Sequence, residues 1–259
     1  MKEKTPLISC ICITLEKPKM LNLAIACFEA QTYENKQLVI LYEDFDYATT
    51  EYIRRRTFSM SIKVIEAKSN PKKTLGELRN IAIEQSDGEF ICQWDDDDWY
   101  HVNRLQYQFD FLDCAKRSGS ILRYWIVLDA MSNRLYISNS RNWEGSILCR
   151  KELLLLKKYD KISKGEDSEV ITFLCENDHL VKIDKVTGIY VYIYHGKNTW
   201  NLSHFSEIFK CSQEIHTNKN ISEMFLDLSP EKSSLLIDNI LQLNNIEDLC
   251  AKSLFKYGS

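Results

Sequence analysis

"EFICQWDDDDWYHVNRL" spans residues 89–105 and places four consecutive aspartates, Asp95–Asp98, directly after an apolar run. Neighbouring carboxylates repel each other, so such a run needs a compensating positive charge or full exposure to water. Carboxylates at positions i and i+2 after a strand can face one hard divalent cation, Mg²⁺ or Mn²⁺. A solvated acidic turn is the alternative, but turns are seldom bracketed by tryptophans such as Trp94 and Trp99. The stretch therefore predicts a strand that ends in a cation-binding loop.

The composition predicts a globular cytoplasmic protein. The 259 residues are 44% hydrophobic and 27% charged, which is enough apolar material for a sizeable core. The net charge of −4 argues against nonspecific binding to nucleic acid or to an anionic membrane. The nine cysteines show no CxxC pair and no metal-ligand spacing, so we expect reduced thiols. No apolar segment has the character of a signal peptide or the length of a membrane span.

Apolar runs and helical patterns alternate over the first hundred residues. Buried strands are predicted at residues 7–14, 36–44, 61–67 and 89–94, with amphipathic helices between them. This alternation indicates an α/β fold with a mostly parallel central sheet flanked by helices.

Two acidic clusters follow strands of this predicted sheet. Glu43 and Asp44 end the second strand, and Asp95–Asp98 follow the fourth. Ligands bind at the carboxyl ends of the strands in open α/β sheets. We therefore expect both clusters to meet at one crevice.

The second half of the chain is predicted to complete one domain over residues 1–200. A hairpin with its turn at residues 131–133, a strand that runs into a helix, and two strands that end at residues 195–200 follow in order. Residues 201–259 are predicted to form a C-terminal helical extension, because leucines and isoleucines recur at helical spacing. We expect the extension to pack on the domain; a homo-oligomer contact or a membrane contact is the alternative.

The common phosphate-binding loops are absent from the sequence. Neither a GxGxxG fingerprint nor a P-loop follows the first strand, which leads into "TLEKPK" at residues 14–19. Phosphates must then be held by a metal and by basic side chains. Arg79 is the best basic candidate, since it could bind a diphosphate or pair with Asp95.

Three segments together resemble family-2 glycosyltransferases of the GT-A fold. They are "PLISCICIT" at residues 6–14, "LVILYED" at residues 38–44, and "GELRNIAIEQSDGEFICQWDDDDW" at residues 76–99. The similarity is closest over residues 76–105 and extends more loosely from residue 6 to about residue 200. It implies an inverting transfer from a nucleotide-diphosphate sugar, a UDP-sugar first of all, in bacterial-type polysaccharide or glycoconjugate synthesis. "EKPK" and "YEDFD" replace the family's usual "YNR" and "VDDGS", so the base contacts stay open.

The resemblance implies a donor and metal site around the four aspartates. Asp95 and Asp97 form the DxD motif, with Asp97 as the direct ligand of Mn²⁺ or Mg²⁺ and Asp95 nearer the ribose or a metal-bound water. His195 is the candidate for a further metal ligand, with a structural histidine as the equal alternative. The implied donor-binding residues are Thr14, Glu16, Glu43, Asp44, Arg79, Asp95 and Asp96.

The resemblance also places a catalytic base in "KGEDSEV" at residues 164–170, with Asp167 as the base and Glu166 as the second candidate. A hydroxyl that attacks the anomeric carbon must lose its proton, and a carboxylate within reach can take it. The alternative is that both acids only stabilise a helix N-terminus. The predicted acceptor side contains Trp143, Glu144 and Trp200; a core tryptophan is the alternative for Trp143.

The expected partners are therefore a nucleotide-sugar donor and a hydroxyl acceptor, such as a glycan or a lipid-linked glycan, and not nucleic acid. A nucleotidyltransferase is one alternative function, but "TLEKPK" is not the Gly-, Arg- and Lys-rich loop that such enzymes carry after the first strand. A non-catalytic nucleotide-sugar-binding protein is the other.

Overall fold

The computed structural model describes residues 5–185, 188–217, 220–221, 225, 229–244 and 246, and in these residues a seven-stranded sheet forms the centre. The sheet is mixed: one strand runs antiparallel to both of its neighbours, and all other neighbouring strands are parallel. In spatial order its strands are β10 (Leu180–Ile183), β6 (Gly119–Leu122), β9 (Leu148–Arg150), β4 (Phe90–Gln93), β1 (Ile8–Ile13), β2 (Lys36–Glu43) and β3 (Ile62–Ala67).

The parallel half of the sheet has the predicted βαβ construction. β1 pairs in parallel with β2 and with β4, and β2 pairs in parallel with β3. Helices make the crossovers: α1 (Pro18–Glu29), α2 (Tyr47–Arg54) and α3 (Leu75–Gln85). α1 begins at a proline, whose missing N–H costs nothing in a first turn. α3 begins with a capping box between Thr74 and Glu77. The predicted α/β fold with a mostly parallel sheet and flanking helices is confirmed.

A second sheet was not predicted from the sequence. Its described strands are, in spatial order, β12 (Gln213–Ile215), β8 (Arg134–Ile137), β7 (Ile126–Asp129), β11 (Tyr190–Tyr194) and β5 (Trp99–Tyr100). The predicted hairpin is the antiparallel pair β7–β8, whereas β6 joins the central sheet. β4 belongs to the central sheet and β5 to the second, so the acidic loop (Asp95–Asp98) is the connection between the two sheets.

The remaining helices in the described residues are α4 (Arg104–Cys114), α5 (Lys151–Leu156), α6 (Ser168–Glu176), α7 (Leu202–Lys210) and α8 (Pro230–Leu243). A short 3₁₀ helix, Glu144–Ser146, precedes β9. No helix in the described part of the chain is both long and apolar enough to cross a membrane.

The prediction that residues 201–259 form a helical extension is wrong for residues 213–215, because these form the strand β12, which pairs with β8. Three residues are too few to show a strand period in sequence, and Ile215 is buried there opposite Leu135. α8 packs near the acidic loop: the Val102 N–H donates to Ser234 Oγ at 3.1 Å, and His101 Nε2 lies 3.3 Å from Asp238 Oδ1. A domain boundary at residue 200 stays a prediction, and residues 247–259 of the predicted extension lie outside the described residues.

Candidate active site

A cleft of about 400 Å³ opens where β1, β2 and β4 end. β1 leads into Thr14, β2 ends in Glu43, and β4 leads into the acidic loop, so the parallel strands deliver these polar side chains to one edge. Glu43 therefore lines the same cleft as Asp95–Asp98, as expected, whereas Asp44 does not. The sequence-predicted residues that line the cleft are Thr14, Glu43, Arg79, Asp95, Asp96, Asp97, Trp143, Glu144, Glu166, Asp167 and Trp200.

The two tryptophans that bracket the acidic loop anchor it in the core. Trp94 Nε1 donates to the Ala24 carbonyl of α1 at 3.1 Å, and both rings are fully buried. Trp99 packs against Phe225 with ring centroids 4.8 Å apart. The loop therefore leaves and re-enters packed structure within a few residues, which limits how far its carboxylates can move apart.

The outer two carboxylates of the acidic loop are held by the protein on opposite sides. Asp95 Oδ1 accepts from Arg79 Nη2 at 2.9 Å. Asp98 accepts from the Tyr190 hydroxyl at 2.6 Å and from the Ile193 N–H at 2.9 Å, and its burial raises its pKa. Asp98 thus ties the loop to β11, the strand whose end carries His195.

The middle two carboxylates, Asp96 and Asp97, both contact the ammonium of Lys17. Lys17 Nζ is 2.6 Å from Asp97 Oδ2 and 3.5 Å from Asp96 Oδ1, and Thr14 Oγ1 donates to Asp96 Oδ2 at 2.6 Å. Burial and the neighbouring Asp97 charge raise the pKa of Asp96 to about 7. Burial would also raise the pKa of Asp97, but its hydrogen bond with His195 and the Lys17 charge outweigh burial and lower it to about 2. Asp97 is therefore ionised throughout the physiological range.

The candidate ligands for a divalent cation are Asp97 and His195. His195 Nε2 lies 3.1 Å from Asp97 Oδ2. Adjacent ligands of an octahedral ion at about 2.1 Å lie about 3 Å apart, so the two atoms fit as neighbours in one coordination shell. Ligation uses the lone pair of Nε2, so a proton on this nitrogen would leave when a metal binds. The described residues contain no group of three or more His, Cys, Asp or Glu side chains placed to hold a metal, so other ligands must come from phosphates and water.

Helix α3 holds the segment that carries the candidate base, the base loop (residues 159–167). Arg79 Nε lies 3.2 Å from Glu166 Oε1, so one guanidinium pairs with both the acidic loop and the base loop. Asn80 makes two hydrogen bonds to the backbone of Tyr159, at 2.9 and 3.0 Å. The Gly76 N–H donates to the Ile162 carbonyl at 3.1 Å, and a Cβ at Gly76 would overlap the carbonyl of Asp160. The segment "GELRN" therefore docks α3 against the base loop.

Asp167 is the less restrained acid of the base loop. Glu166 is buried against Arg79, whereas Asp167, at the N-cap position of α6, makes no side-chain capping hydrogen bond. Burial raises the pKa of Asp167 to about 7 against the lowering effect of Arg79. A carboxyl group with this pKa exchanges its proton near neutrality, as general base catalysis requires. The absent capping bond argues against a purely helix-stabilising role.

The three predicted acceptor-side residues differ in exposure. Trp143 is 2% exposed and stacks on Trp125 with centroids 4.5 Å apart, so most of this ring belongs to the core. Glu144 Oε2 accepts from Arg141 at 3.1 Å. Trp200 is 38% exposed, and its ring stacks on His204 at 4.5 Å. Trp200 is therefore the aromatic surface that a bound molecule can reach.

Two predicted donor-binding residues, Asp44 and Glu16, do not line the cleft and instead make contacts within the loops beside it. Asp44 Oδ1 accepts from the backbone N–H and the hydroxyl of Ser69, at 3.0 and 2.6 Å. Glu16 has a positive φ of 53°, and its N–H donates to Asp46 Oδ2 at 2.7 Å. His195 does not line the cleft either, and it is connected to the site by its hydrogen bond with Asp97.

Lys17 was not predicted as a site residue. The signal was present, because "EKPK" follows β1 at the sheet edge where the four carboxylates need positive charge. Gln93 was missed as well: its amide donates to Asp95 Oδ2 at 3.3 Å, and its oxygen accepts from the Tyr159 hydroxyl at 3.4 Å. A buried glutamine in an apolar strand carried no such signal.

Solved structures share this architecture at low sequence identity. The S. aureus TarS fragment 1–349 in complex with UDP-GlcNAc aligns with a TM-score of 0.60 at 16% identity, over 92% of this chain and 71% of that one. The mannosyltransferase PcManGT from Pyrobaculum calidifontis, in complex with GDP-Man and Mn²⁺, aligns with a TM-score of 0.59 at 13% identity, over 94% of this chain and 76% of that one. The similarity shows that the fold is the GT-A fold of glycosyltransferases.

The sequence itself matches a family profile. Residues 9–160, more than half of the chain, match "Glycosyl transferase family 2". The chain belongs to glycosyl transferase family 2 and has the fold of nucleotide-sugar-dependent transferases. Comparison with curated proteins gives no significant match.

Proposed function

We propose that this protein is an inverting, metal-dependent glycosyltransferase that moves a sugar from a nucleotide-diphosphate sugar to an acceptor hydroxyl. One observation carries the proposal: a single cleft contains two carboxylates of opposite character, Asp97 with a pKa lowered to about 2 by His195 and Lys17 against burial, and Asp167 with a pKa raised by burial to about 7. A permanently ionised carboxylate suits a cation, and a carboxylate that titrates near neutrality suits proton transfer.

The donor half of the site is built around the acidic loop. Asp97 and His195 would hold Mn²⁺ or Mg²⁺, and the bound ion supplies Lewis-acid stabilisation of charge on the departing nucleotide diphosphate. Asp95 is fixed by Arg79 and Gln93 with its side chain still 31% exposed, which suits a contact with the ribose or a metal-bound water. Thr14 and Glu43 line the cleft where β1 and β2 end, and we assign them to the base and ribose.

The acceptor half of the site is built around the base loop. Asp167 takes the proton of the acceptor hydroxyl. At the same time the hydroxyl oxygen bonds to the anomeric carbon, and the bond from that carbon to the nucleotide diphosphate breaks. A single displacement from the face opposite the leaving group inverts the anomeric configuration. Arg79 holds Glu166 and thereby positions its neighbour Asp167. The exposed ring of Trp200 offers a stacking surface for an acceptor sugar.

A UDP-sugar is the first candidate donor. TarS was solved with UDP and with UDP-GlcNAc, and PcManGT with GDP-Man, so GDP is the second nucleotide to test. The acceptor class that we propose is a glycan, lipid-linked or free, in polysaccharide or glycoconjugate synthesis.

A thermal-shift screen of nucleotide sugars, with and without Mn²⁺, tests this function. A ligand at about 100 times its Kd stabilises the fold by about 2.7 kcal/mol, which is readily measured as a rise in Tm. We expect a rise for one nucleotide class that requires the metal. A rise without any sugar transfer or hydrolysis would support the non-catalytic alternative, and no rise with any nucleotide sugar would contradict the donor assignment.

A further inference from the structure

Lys17 supplies positive charge to the acidic loop, but the family resemblance assigns it no role. It is the N-cap residue of α1, four residues after the end of β1, and its Nζ lies 2.6 Å from Asp97 Oδ2. The same oxygen lies 3.1 Å from His195 Nε2. One carboxylate oxygen therefore serves the lysine ammonium and the imidazole of the predicted metal pair.

The ammonium of Lys17 is stabilised by the neighbouring carboxylates, but its side chain remains partly exposed. Its burial disfavours its charge, but the carboxylates of Asp97 and Asp96 outweigh burial and raise its pKa. The side chain is 23% exposed and lines the cleft, so it can change partner without unfolding. Lysine suits such a role because its ammonium is a point charge on a flexible stem.

A divalent cation and the Lys17 ammonium cannot both contact Asp97 Oδ2 closely, since two positive charges at one oxygen repel each other. A cation that binds Asp97 and His195 must displace Lys17. The diphosphate that arrives with the metal brings negative charge into the cleft, and a displaced ammonium can pair with one of its oxygens.

Arg79 is poorly placed to take that role. Its guanidinium pairs with Asp95 at 2.9 Å and with Glu166 at 3.2 Å, and the residue is 6% exposed. Its Nη1 makes no hydrogen bond but is buried, so Arg79 reaches a phosphate less readily than the partly exposed Lys17. Lys17 gives up its 2.6 Å contact with Asp97, which the cation replaces, and its longer 3.5 Å contact with Asp96.

We propose that Lys17 is a built-in counterion that neutralises Asp96 and Asp97 in the ligand-free protein and passes to a phosphate oxygen of the donor when a divalent cation takes Asp97. The inference rests on the proposed function and adds a residue to it. Lys17 opposes binding of the metal alone and favours binding of the metal together with the diphosphate, so that the two ligands bind cooperatively.

Equilibrium binding tests this exchange without measuring turnover. Mn²⁺ binding is followed by electron paramagnetic resonance of the free ion, and binding of UDP, with GDP in parallel, is followed by calorimetry at saturating Mn²⁺. Lys17→Met removes the charge and keeps the length of the side chain. Lys19→Met is the matched control, because Lys19 is exposed on α1 and does not line the cleft.

We expect Lys17→Met to bind Mn²⁺ alone at least about fivefold more tightly and the nucleotide at least about fivefold more weakly than wild type. Lys19→Met should match wild type in both measurements. Unchanged or weaker Mn²⁺ binding in Lys17→Met would overturn the counterion role, and unchanged nucleotide binding would overturn the transfer to phosphate. Lys17→Gln, measured in the same way, replaces Lys17→Met if the latter does not fold.

Asp97→Asn separates this inference from the proposed function. Loss of Mn²⁺ binding in Asp97→Asn with no change in Lys17→Met overturns the Lys17 exchange and leaves the metal site standing. Wild-type Mn²⁺ binding in Asp97→Asn overturns the metal site itself, and the Lys17 exchange with it.

Discussion

The acidic loop and the base loop both place adjacent carboxylates in one cleft, but the protein treats them differently. Each of the four aspartates of the acidic loop has a partner from another element, namely Arg79, Thr14, Lys17, His195 or β11. In the base loop Glu166 is paired with Arg79, whereas Asp167 makes no capping hydrogen bond. The pKa of Asp97 is consequently lowered to about 2, since His195 and Lys17 outweigh its burial, and that of Asp167 is raised to about 7 by burial.

The balance between burial and close charged partners decides the chemistry of a buried carboxylate. At Asp97 the hydrogen-bonded His195 and Lys17 outweigh burial, so the carboxylate stays ionised and can hold a cation. At Asp96 and Asp167 burial outweighs the positive charge nearby and raises the pKa to about 7. In the proposed function, these two acidic clusters divide the donor and acceptor halves of the transfer reaction.

The largest expected effect is that of Asp97→Asn. The change removes the carboxylate of the metal pair, so we expect transfer to fall by at least about 10³-fold and Mn²⁺-dependent nucleotide binding to weaken. Initial rates and calorimetry with Mn²⁺ measure both. Full activity in this variant would show that the acidic loop does not hold a catalytic metal.

Asp167→Asn should distinguish the role of the base loop from that of the acidic loop. The amide cannot accept the acceptor proton, so turnover should fall by about 10²–10⁴-fold while metal-dependent donor binding is retained. Glu169→Gln is the matched control, because Glu169 is exposed in the first turn of α6 and is expected to leave both unchanged. If Asp167→Asn lost donor binding as Asp97→Asn does, the comparison between the loops would fail.

The pH dependence should carry the signature of Asp167. Below about pH 7 the carboxyl is protonated and cannot act as a base, so kcat/KM should fall about tenfold per pH unit there and level off above it. The rising limb is expected to disappear in Asp167→Asn. A profile that is flat from pH 5 to 8 in wild type, at constant saturating metal, would remove Asp167 as the titrating base.

Arg79→Gln should shift that profile rather than abolish it. Arg79 lowers the pKa of Asp167 against the larger effect of burial, so loss of its charge should move the rising limb to higher pH. Arg79→Lys keeps the charge and should restore the position of the limb. A lower rate with an unmoved limb would indicate that Arg79 acts only as a structural link; circular dichroism checks that both variants are folded.

The smallest expected effect is on stability. In Gly76→Ala the new methyl group overlaps the Asp160 carbonyl, so the free energy of unfolding should fall by about 1–3 kcal/mol. Urea unfolding measures this. Gly165→Ala, where a Cβ would make only an ordinary 3.7 Å contact with Ser168 Oγ but φ is +70°, compares strain from backbone conformation with strain from overlap in the same base loop. Unchanged stability in Gly76→Ala would mean that α3 and the base loop are not closely docked.

Much of the donor side could be predicted from the sequence. The strand pattern predicted the sheet, the rule for parallel sheets placed Glu43 and Asp95–Asp98 at one edge, and the resemblance named Asp97 and Asp167. The hairpin β7–β8 and the strand β11 were expected as strands, but their grouping into a second sheet could not be predicted, because it depends on pairs between distant residues such as Tyr100 and Tyr190. Asp44 and Glu16 follow strands as expected, yet the loops around Ser69 and Asp46 turn them to other contacts.

The fold class, the family and the presence of two acidic clusters could be read from the amino-acid sequence, because they follow from local patterns and motif spacing. The partners of the four aspartates could be read only from the folded structure. Their partners come from far along the chain: Thr14 is 82 residues from Asp96, and Tyr190 is 92 residues from Asp98. The charge state of a carboxylate depends on burial and on neighbours within a few ångströms, and both are set by which strands lie side by side.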